Sequence, residues 1–338
     1  MEKAAVVLLN YNGLGFMQKF LPDLLALSRP HSVYVIDNAS TDNSIQWLKD
    51  NHDEVKIIEL KENHGFSGGY NIGLRHVESE YYILVNTDVQ VTDNWISPVL
   101  KLMDEDDTIA ACQPKIRSYH QPQYFEYAGA AGGFVDALGY PFCRGRIFNT
   151  LEKDNGQYDD TRPIFWASGA CFFIRASLFH MAGGFDYDFF AHMEEIDLCW
   201  LLHTAGFRVY YCSESTVFHV GGGTLPQGNP QKSYLNFRNN LTMLYKNSNF
   251  FQFLWKYPMR LALDCFAALR EVYARKGKVS VMIVKAHLHF WGMYKKNKMK
   301  KITTKSVRKG FRIKELYNGS IVLQYFLNKK KTFGELNF

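Results

Sequence analysis

The stretch that most limits what this chain can fold into is Tyr81 to Val89, YYILVNTDV, an apolar run closed by Asn86, Thr87 and Asp88. Five of its first six residues are aromatic or aliphatic, with little alternation. Such a run fits a strand buried on both faces of a parallel sheet better than an edge strand. Asp88 then falls at the strand's carboxyl end. Ligands of open α/β sheets bind at that edge, so an acid there can hold a metal ion against a phosphorylated substrate, or simply cap the next turn.

The rest of the N-terminal half supplies neighbours for this strand. Ala4 to Asn12 reads as a first buried strand, Leu14 to Leu27 as a helix by its apolar spacing, and Ser32 to Asp37 as a second strand. A helix carrying Ile45, Trp47 and Leu48 and a third strand over Val55 to Leu60 follow. The alternation predicts a doubly wound, Rossmann-like sheet with helices on both faces. The glycine passage NHGFSGGYNIG, Asn63 to Gly73, follows the third strand and lacks the dinucleotide spacing, which argues against a nicotinamide-dependent dehydrogenase. Its glycines serve close helix-to-sheet packing, or let backbone amides approach a nucleotide diphosphate; the two uses are compatible.

Beyond Asp88 the pattern predicts a helix over Trp95 to Met103, a short strand near Ile109 to Gln113, and loops from Lys115 to Thr161. A buried strand over Trp166 to Arg175 comes next. Glu194, Glu195 and Asp197 then open a helix that ends at Gly206, and one of these carboxylates is a candidate base. After a strand over Phe207 to Cys212, His219 precedes a glycine run, where it can reach an ion held elsewhere in the site or serve as a hydrogen-bonded structural group.

A hydrophobic content of 47% with 21% charged residues describes a globular protein. The six cysteines are scattered without a CxxC pair, the pattern of reduced core residues in a cytosolic protein. The apolar run at the N-terminus is too short for a signal peptide. Net charge is +6, yet Lys295 to Lys314 alone holds ten Lys or Arg and no acid, so the basic character belongs to the tail. From Phe250 onward Lys256, Arg260, Asp264, Glu271 and Arg275 share a helical stripe, with apolar residues around the other faces. Charges recur too often for a membrane span, and a helix lying in a membrane surface fits better than a subdomain packed on the core. Nucleic acid is not an expected partner, since no recognition module accompanies the charge.

Collected in order, NYNG at Asn10 to Gly13, DNASTD at Asp37 to Asp42, the glycine passage, NTDV at Asn86 to Val89, GGFDYDFF ahead of MEEIDLCW at Met193 to Trp200, HVGGGT at His219 to Thr224 and FRNN at Phe237 to Asn240 resemble the family 2 glycosyltransferases of the GT-A fold, in their bacterial rhamnosyltransferase-like branch. The resemblance implies a GT-A-type α/β fold: a mixed, mostly parallel sheet flanked by helices, with a C-terminal helical extension. It places the catalytic domain at residues 1–245 and an amphipathic, basic extension at 246–338. It also implies transfer of a sugar, with inversion, from a nucleotide-diphosphate donor to a lipid-linked or polysaccharide acceptor. Asp88 and His219 would bind Mg²⁺ or Mn²⁺. Asn10, Asp37, Asn38, Gly65, Gly68, Gly69, Asn71, Asn86 and Arg238 would bind the nucleotide-sugar. Glu195 stands where the family has an aspartate base, and Glu194 or Asp197 is the alternative should the longer side chain not suit.

The expectation is therefore a metal-dependent inverting glycosyltransferase, peripheral on the cytoplasmic face of the inner membrane. A catalytically degenerate sugar-nucleotide or glycan-binding protein is the rival. A nucleotidyltransferase is the weaker one, for the first strand is followed by no basic phosphate loop.

Overall fold

The computed structural model describes residues 2–221, 229–307 and 313–338. Gly222 to Thr224 of the glycine run and Arg308, Lys309 and Arg312 of the tail lie outside the described residues. In order the elements are β1 (Glu2–Asn10), α1 (Leu14–Leu27), β2 (Ser32–Asp37), α2 (Ser44–Asn51), β3 (Lys56–Glu59), α3 (Gly65–Gly73), β4 (Ser79–Asn86), β5 (Val89–Val91), α4 (Ser97–Glu105) and β6 (Ile109–Ser118). Then come β7 (Gly133–Asp136), β8 (Pro141–Cys143), β9 (Arg146–Ile147), β10 (Thr150–Leu151), β11 (Arg162–Ile164), β12 (Cys171–Arg175), α5 (Ala176–Met181), α6 (Glu194–Thr204) and β13 (Arg208–His219). The chain ends with α7 (Pro230–Asn247), α8 (Phe250–Tyr273), α9 (Gly277–Gly292), α10 (Tyr294–Thr303), β14 (Leu316–Tyr317) and α11 (Ile321–Phe326).

Among the described residues the main sheet runs β11-β13-β6-β12-β4-β1-β2-β3, with β5 paired to β13. Strands β1 to β4 are parallel, and β12 is antiparallel to both β4 and β6. β4 is buried on both faces, as its unbroken apolar run requires. Tyr82 and Leu84 point into one core while Tyr81, Ile83 and Val85 point into the other. β1 divides in the same way, with Ala5 and Val7 against Ala4, Val6 and Leu8. Each fully buried aliphatic side chain contributes roughly 1.5 to 3 kcal/mol, so the two cores fix the register of the strands that carry the site.

The structure departs from the sequence reading in three places. Lys115 to Thr161 is not loop alone: it extends β6 to Ser118 and forms a second sheet, ordered β10-β9-β8-β7-β14. These strands are two to four residues long and interrupted by glycines, too short to show a period. Second, the division at 245 is not a packing boundary. β14 adds in parallel to β7, and Phe333 and Phe338 pack at tilted and edge-on angles against Phe134 and Phe142.

Third, α8 turns its charges inward. Lys256, Arg260, Asp264 and Ala268 are its buried stripe. Arg260 donates from Nε to both Asp264 oxygens at 3.0 Å, reaches Asn240 and the Leu138 carbonyl, and stacks over the Tyr140 ring. Tyr140 and His287 complete the Asp264 carboxylate at 2.6 and 3.1 Å. Five cysteines are buried, as read; Cys265 is exposed on the outer side of this helix.

Candidate active site

Strand register gathers the predicted residues along one carboxyl edge. Asn10 lies opposite Asp37, and Leu9 opposite Asn86, so β1, β2 and β4 end together. Asp88 follows β4 directly. β5 then pairs with the last residues of β13, which sets His219 opposite Val89, and the Val220 amide donates to the Asp88 carbonyl at 3.0 Å. The side chains meet as a result: Asp88 Oδ1 is 3.1 Å from His219 Nε2. The other imidazole nitrogen faces Glu126 Oε1 at 3.3 Å, an ion-pair contact short of hydrogen-bond alignment.

All three groups are buried. Burial alone would raise the Asp88 carboxyl, but His219 and the backbone amides of Asp88 and Gly221 outweigh it and hold it low. Burial opposes charge on His219 too, and the two carboxylates reverse that, raising it to about 10. A cationic group is thus favoured between Asp88 and Glu126.

The donor set fits a hard divalent cation held by one carboxylate and one imidazole, with a carboxylate behind the imidazole fixing its tautomer. Among the described residues no group of three or more His, Cys, Asp or Glu could hold a metal ion by itself, so substrate oxygens would complete the shell. Glu126 was missed by sequence reasoning, because a lone acid in an aromatic stretch carries no periodic or spacing signal. Glu126→Gln is expected to weaken cation affinity about 10- to 100-fold, read as the Mn²⁺ concentration at half-maximal binding in a calorimetric titration with nucleoside diphosphate present. Unchanged affinity would assign Glu126 a purely structural part.

Asp37 ends β2 with its oxygens accepting from Asn10 Nδ2 at 2.9 Å and the Ser40 amide at 3.0 Å. Asn10 also donates to Ser40 Oγ at 3.0 Å and accepts from the Gly13 amide at 3.1 Å, so it orients Asp37 and the turn. Asn38 likewise bonds Asn63, the Gly65 carbonyl and the His64 amide. Gly65 has φ of +70°, and a Cβ there would lie 2.5 Å from the Phe190 ring and carbonyl. A Cβ on Gly69 would lie 2.7 Å from Leu9, and Gly68 is equally close to Tyr187. The packing use of these glycines is therefore visible. The first amides of α3, those of Phe66 and Ser67, are taken by the Phe190 carbonyl at 2.6 and 3.2 Å. Asn71 departs from its expected place. Its amide brackets the Phe185 backbone at 2.9 and 2.8 Å, a latch between α3 and the loop ahead of α6. Asn86 is half-buried, and its backbone N–H donates to the Ala170 carbonyl at 3.1 Å.

That last bond connects Asp88 to the acids of α6. Gly169, next to Ala170, lies beside the Glu195 carboxyl, a Cβ there falling 4.0 Å from its Cδ, and the backbone amides around the carboxyl favour its charge. Burial dominates even so and pushes Glu195 up to about 7. Its Oε2 has no partner. Glu194 is raised well above the usual carboxyl range by burial and by the Glu195 charge, and its Oε2 is also unpartnered. Glu194 is buried as a whole and Glu195 is half-buried as a residue, while the unpartnered oxygen of each is itself buried. Asp197 is not available as a base: it holds Lys246 Nζ at 2.6 Å and Asn247 Nδ2 at 3.1 Å.

The loop before α6 is strained, with φ of 65° at Phe190, 71° at His192 and 74° at Met193. The FRNN segment of α7 holds it. Arg238 donates to the carbonyls of Asp188 and Phe189, and Asn239 Nδ2 lies within 2.9 Å of the carbonyls of Phe189, Ala191 and His192. Arg238 thereby positions the loop through Nε and Nη2. Lys246 bridges Asp186 and Asp197. From α10, Lys300 grips Asp186 and Asp188, and Lys296 holds Asp188 at 2.6 Å. Part of the basic tail is thus a strap on the loop ahead of α6.

The chain is 28% identical over 288 residues to the N-acetylglucosaminyl-diphospho-decaprenol L-rhamnosyltransferase of Mycobacterium tuberculosis, covering 79% of this chain and 91% of that protein. It is 22% identical to the rhamnosyltransferase WbbL of Escherichia coli K12, covering 58% of this chain and 82% of that one. In fold it is similar to the mannosyltransferase PcManGT of Pyrobaculum calidifontis, solved with GDP-Man and Mn²⁺, at TM-score 0.51 and 13% identity over 86% of this chain and 87% of that one. GalNAc-T7, solved with UDP, GalNAc and Mn²⁺, gives 0.56 at 16% identity over 72% of this chain, which spans about half (48%) of that longer one. The fold is GT-A. The sequence model for glycosyl transferase family 2 matches residues 5–181, more than half of the chain, and the protein belongs to that family.

Proposed function

We propose that the protein transfers a sugar, with inversion, from a nucleotide-diphosphate sugar to a lipid-linked glycan in cell-surface glycan synthesis. The observation that carries this reading is the Glu195 carboxyl, whose buried Oε2 has no hydrogen-bond partner, lying beside Gly169 and so next to Ala170, which pairs with the end of the strand that precedes Asp88. Inversion in one displacement needs a single base opposite the leaving group. Glu195 takes the proton of the acceptor hydroxyl as that oxygen bonds to the anomeric carbon, and the bond to the diphosphate breaks with its electron pair. Mg²⁺ or Mn²⁺ held by Asp88 and His219 would neutralise charge on the departing diphosphate. Asp37 would hydrogen-bond the base or ribose, and Asn86, beside Asp88, would touch the ribose or a metal-bound water.

Rhamnose is the favoured donor sugar, since both rhamnosyltransferase relatives carry that name, and the decaprenol-linked substrate named in the first favours a lipid-linked acceptor. Such an acceptor brings the protein to a membrane surface, and no helix among the described residues is long and apolar enough to cross one. The test is a panel of dTDP-, UDP- and GDP-sugars with Mn²⁺ and membrane lipid extract, read as released diphosphate and glycosylated lipid. Turnover of dTDP-rhamnose is expected. Binding of donors with turnover of none would move the protein to the binding-protein reading.

A further inference from the structure

α8 is built inside out. Its inward stripe holds Lys256, Arg260 and Asp264, while the exposed residues from Phe250 to Leu269 include one polar side chain, Gln252. Phe251, Leu254, Trp255, Phe266 and Leu269 are each more than half exposed. A water-facing helix has the opposite arrangement. α9 packs beside it, with Phe253 against Phe290 and with Ala268 clustered with Val279 and Ile283. It too leaves Val281, Val284 and Leu288 exposed. Apolar surface of this extent marks an interaction site.

The charge around it names the occupant. No acid occurs between Val272 and Lys314. Arg275, Lys276, Lys278, Lys285, Lys295 and Lys298 are exposed along the hairpin and the start of α10. Two copies meeting through this face would bring like charges together, whereas an anionic lipid surface neutralises them, each base near the surface contributing on the order of 1 kcal/mol.

We propose that α8 and α9 form a docking face for an anionic phospholipid bilayer, lying flat with the outer aromatic and aliphatic side chains inserted below the headgroups. The inference rests on the lipid-linked acceptor proposed above, and it assigns the charged stripe of α8 a different task from the one the sequence suggested: the stripe anchors the hairpin to the catalytic domain and does not face water. Because Lys296 and Lys300 of α10 hold the loop ahead of Glu195, the docked surface and the catalytic carboxylate share one support.

The experiment is flotation of the full chain with vesicles of phosphatidylcholine alone or with phosphatidylglycerol, for wild type and the double variant Phe251→Asp, Phe266→Asp. Circular dichroism verifies folding, and diphosphate release in detergent from the donor found above is measured in parallel. Expected are binding to the anionic vesicles, weaker binding to the neutral ones, and a loss of about tenfold or more in the variant, with detergent turnover unchanged. Equal vesicle binding by variant and wild type would overturn the proposal. So would a wild type that ignores vesicles yet sediments as a dimer that the variant splits. Vesicle binding without turnover of any donor would leave the docking face standing and remove the transferase reading.

Discussion

Replacing Glu195 by Gln lowers turnover on the order of 10³-fold, the range expected for loss of a positioned general base, while donor binding measured by calorimetry is retained. Gln keeps the length and the amide-facing oxygen but cannot accept the proton. The wild-type rate should rise with pH through about 7, the value to which burial pushes this carboxyl, and the residual rate of Glu195→Gln should show no such limb. The stability effect has the opposite sense. A carboxyl raised in the folded state is favoured neutral, so the penalty is absent below its unfolded value, grows as pH rises between the two, and is fully present above about 7. Glu195→Gln is therefore expected to be more stable than wild type at pH 8, by an amount on the order of 1 to 3 kcal/mol, and equal to it at pH 4. A variant that turns over normally would shift the base role to Glu194; a variant less stable at pH 8 would contradict the burial account.

Asp88→Ala is expected to match or exceed that loss in turnover, again on the order of 10³-fold or more, and to do so by a different route. Wild type should bind nucleoside diphosphate more tightly in Mn²⁺ than in chelator. Asp88→Ala should bind it equally weakly in both, because the one carboxylate in contact with His219 Nε2 is gone. Measuring affinity with and without cation separates this outcome from a fold defect, which would weaken both. Cation-enhanced binding that survives in Asp88→Ala would remove Asp88 from the ligand set.

The sheet was legible because its strands are unbroken apolar runs: β4 and the helix α1 fall where the residues place them. Asp88 and His219 were legible from their places at strand ends and from the family motifs. What brings them together, the pairing of β5 with the end of β13, is a contact across more than a hundred residues that no local pattern encodes. Arg238, Asn71 and Asp197 show the converse difficulty. Each stands in a motif of the family, and sequence alone does not say whether such a residue touches substrate or holds the loop that does. Their partners, backbone carbonyls and Lys246, are supplied by tertiary packing. The charged stripe of α8 read as amphipathic whichever side met water. Periodicity gives the faces of a helix and not their direction.

One consequence follows from the return of residues 313–338 to the second sheet. Asp136 accepts from the backbone amides of Leu138, Tyr140 and Ile321, so the start of α11 is tied to the turn between β7 and β8. The helices α8 to α10 are thus an excursion that begins and ends on the same body, and not a tail. Removing the last residues would strip Phe333 and Phe338 from Phe134 and Phe142, whereas exchanging α8 and α9 while keeping α10 would leave Lys296 and Lys300 on the loop ahead of Glu195.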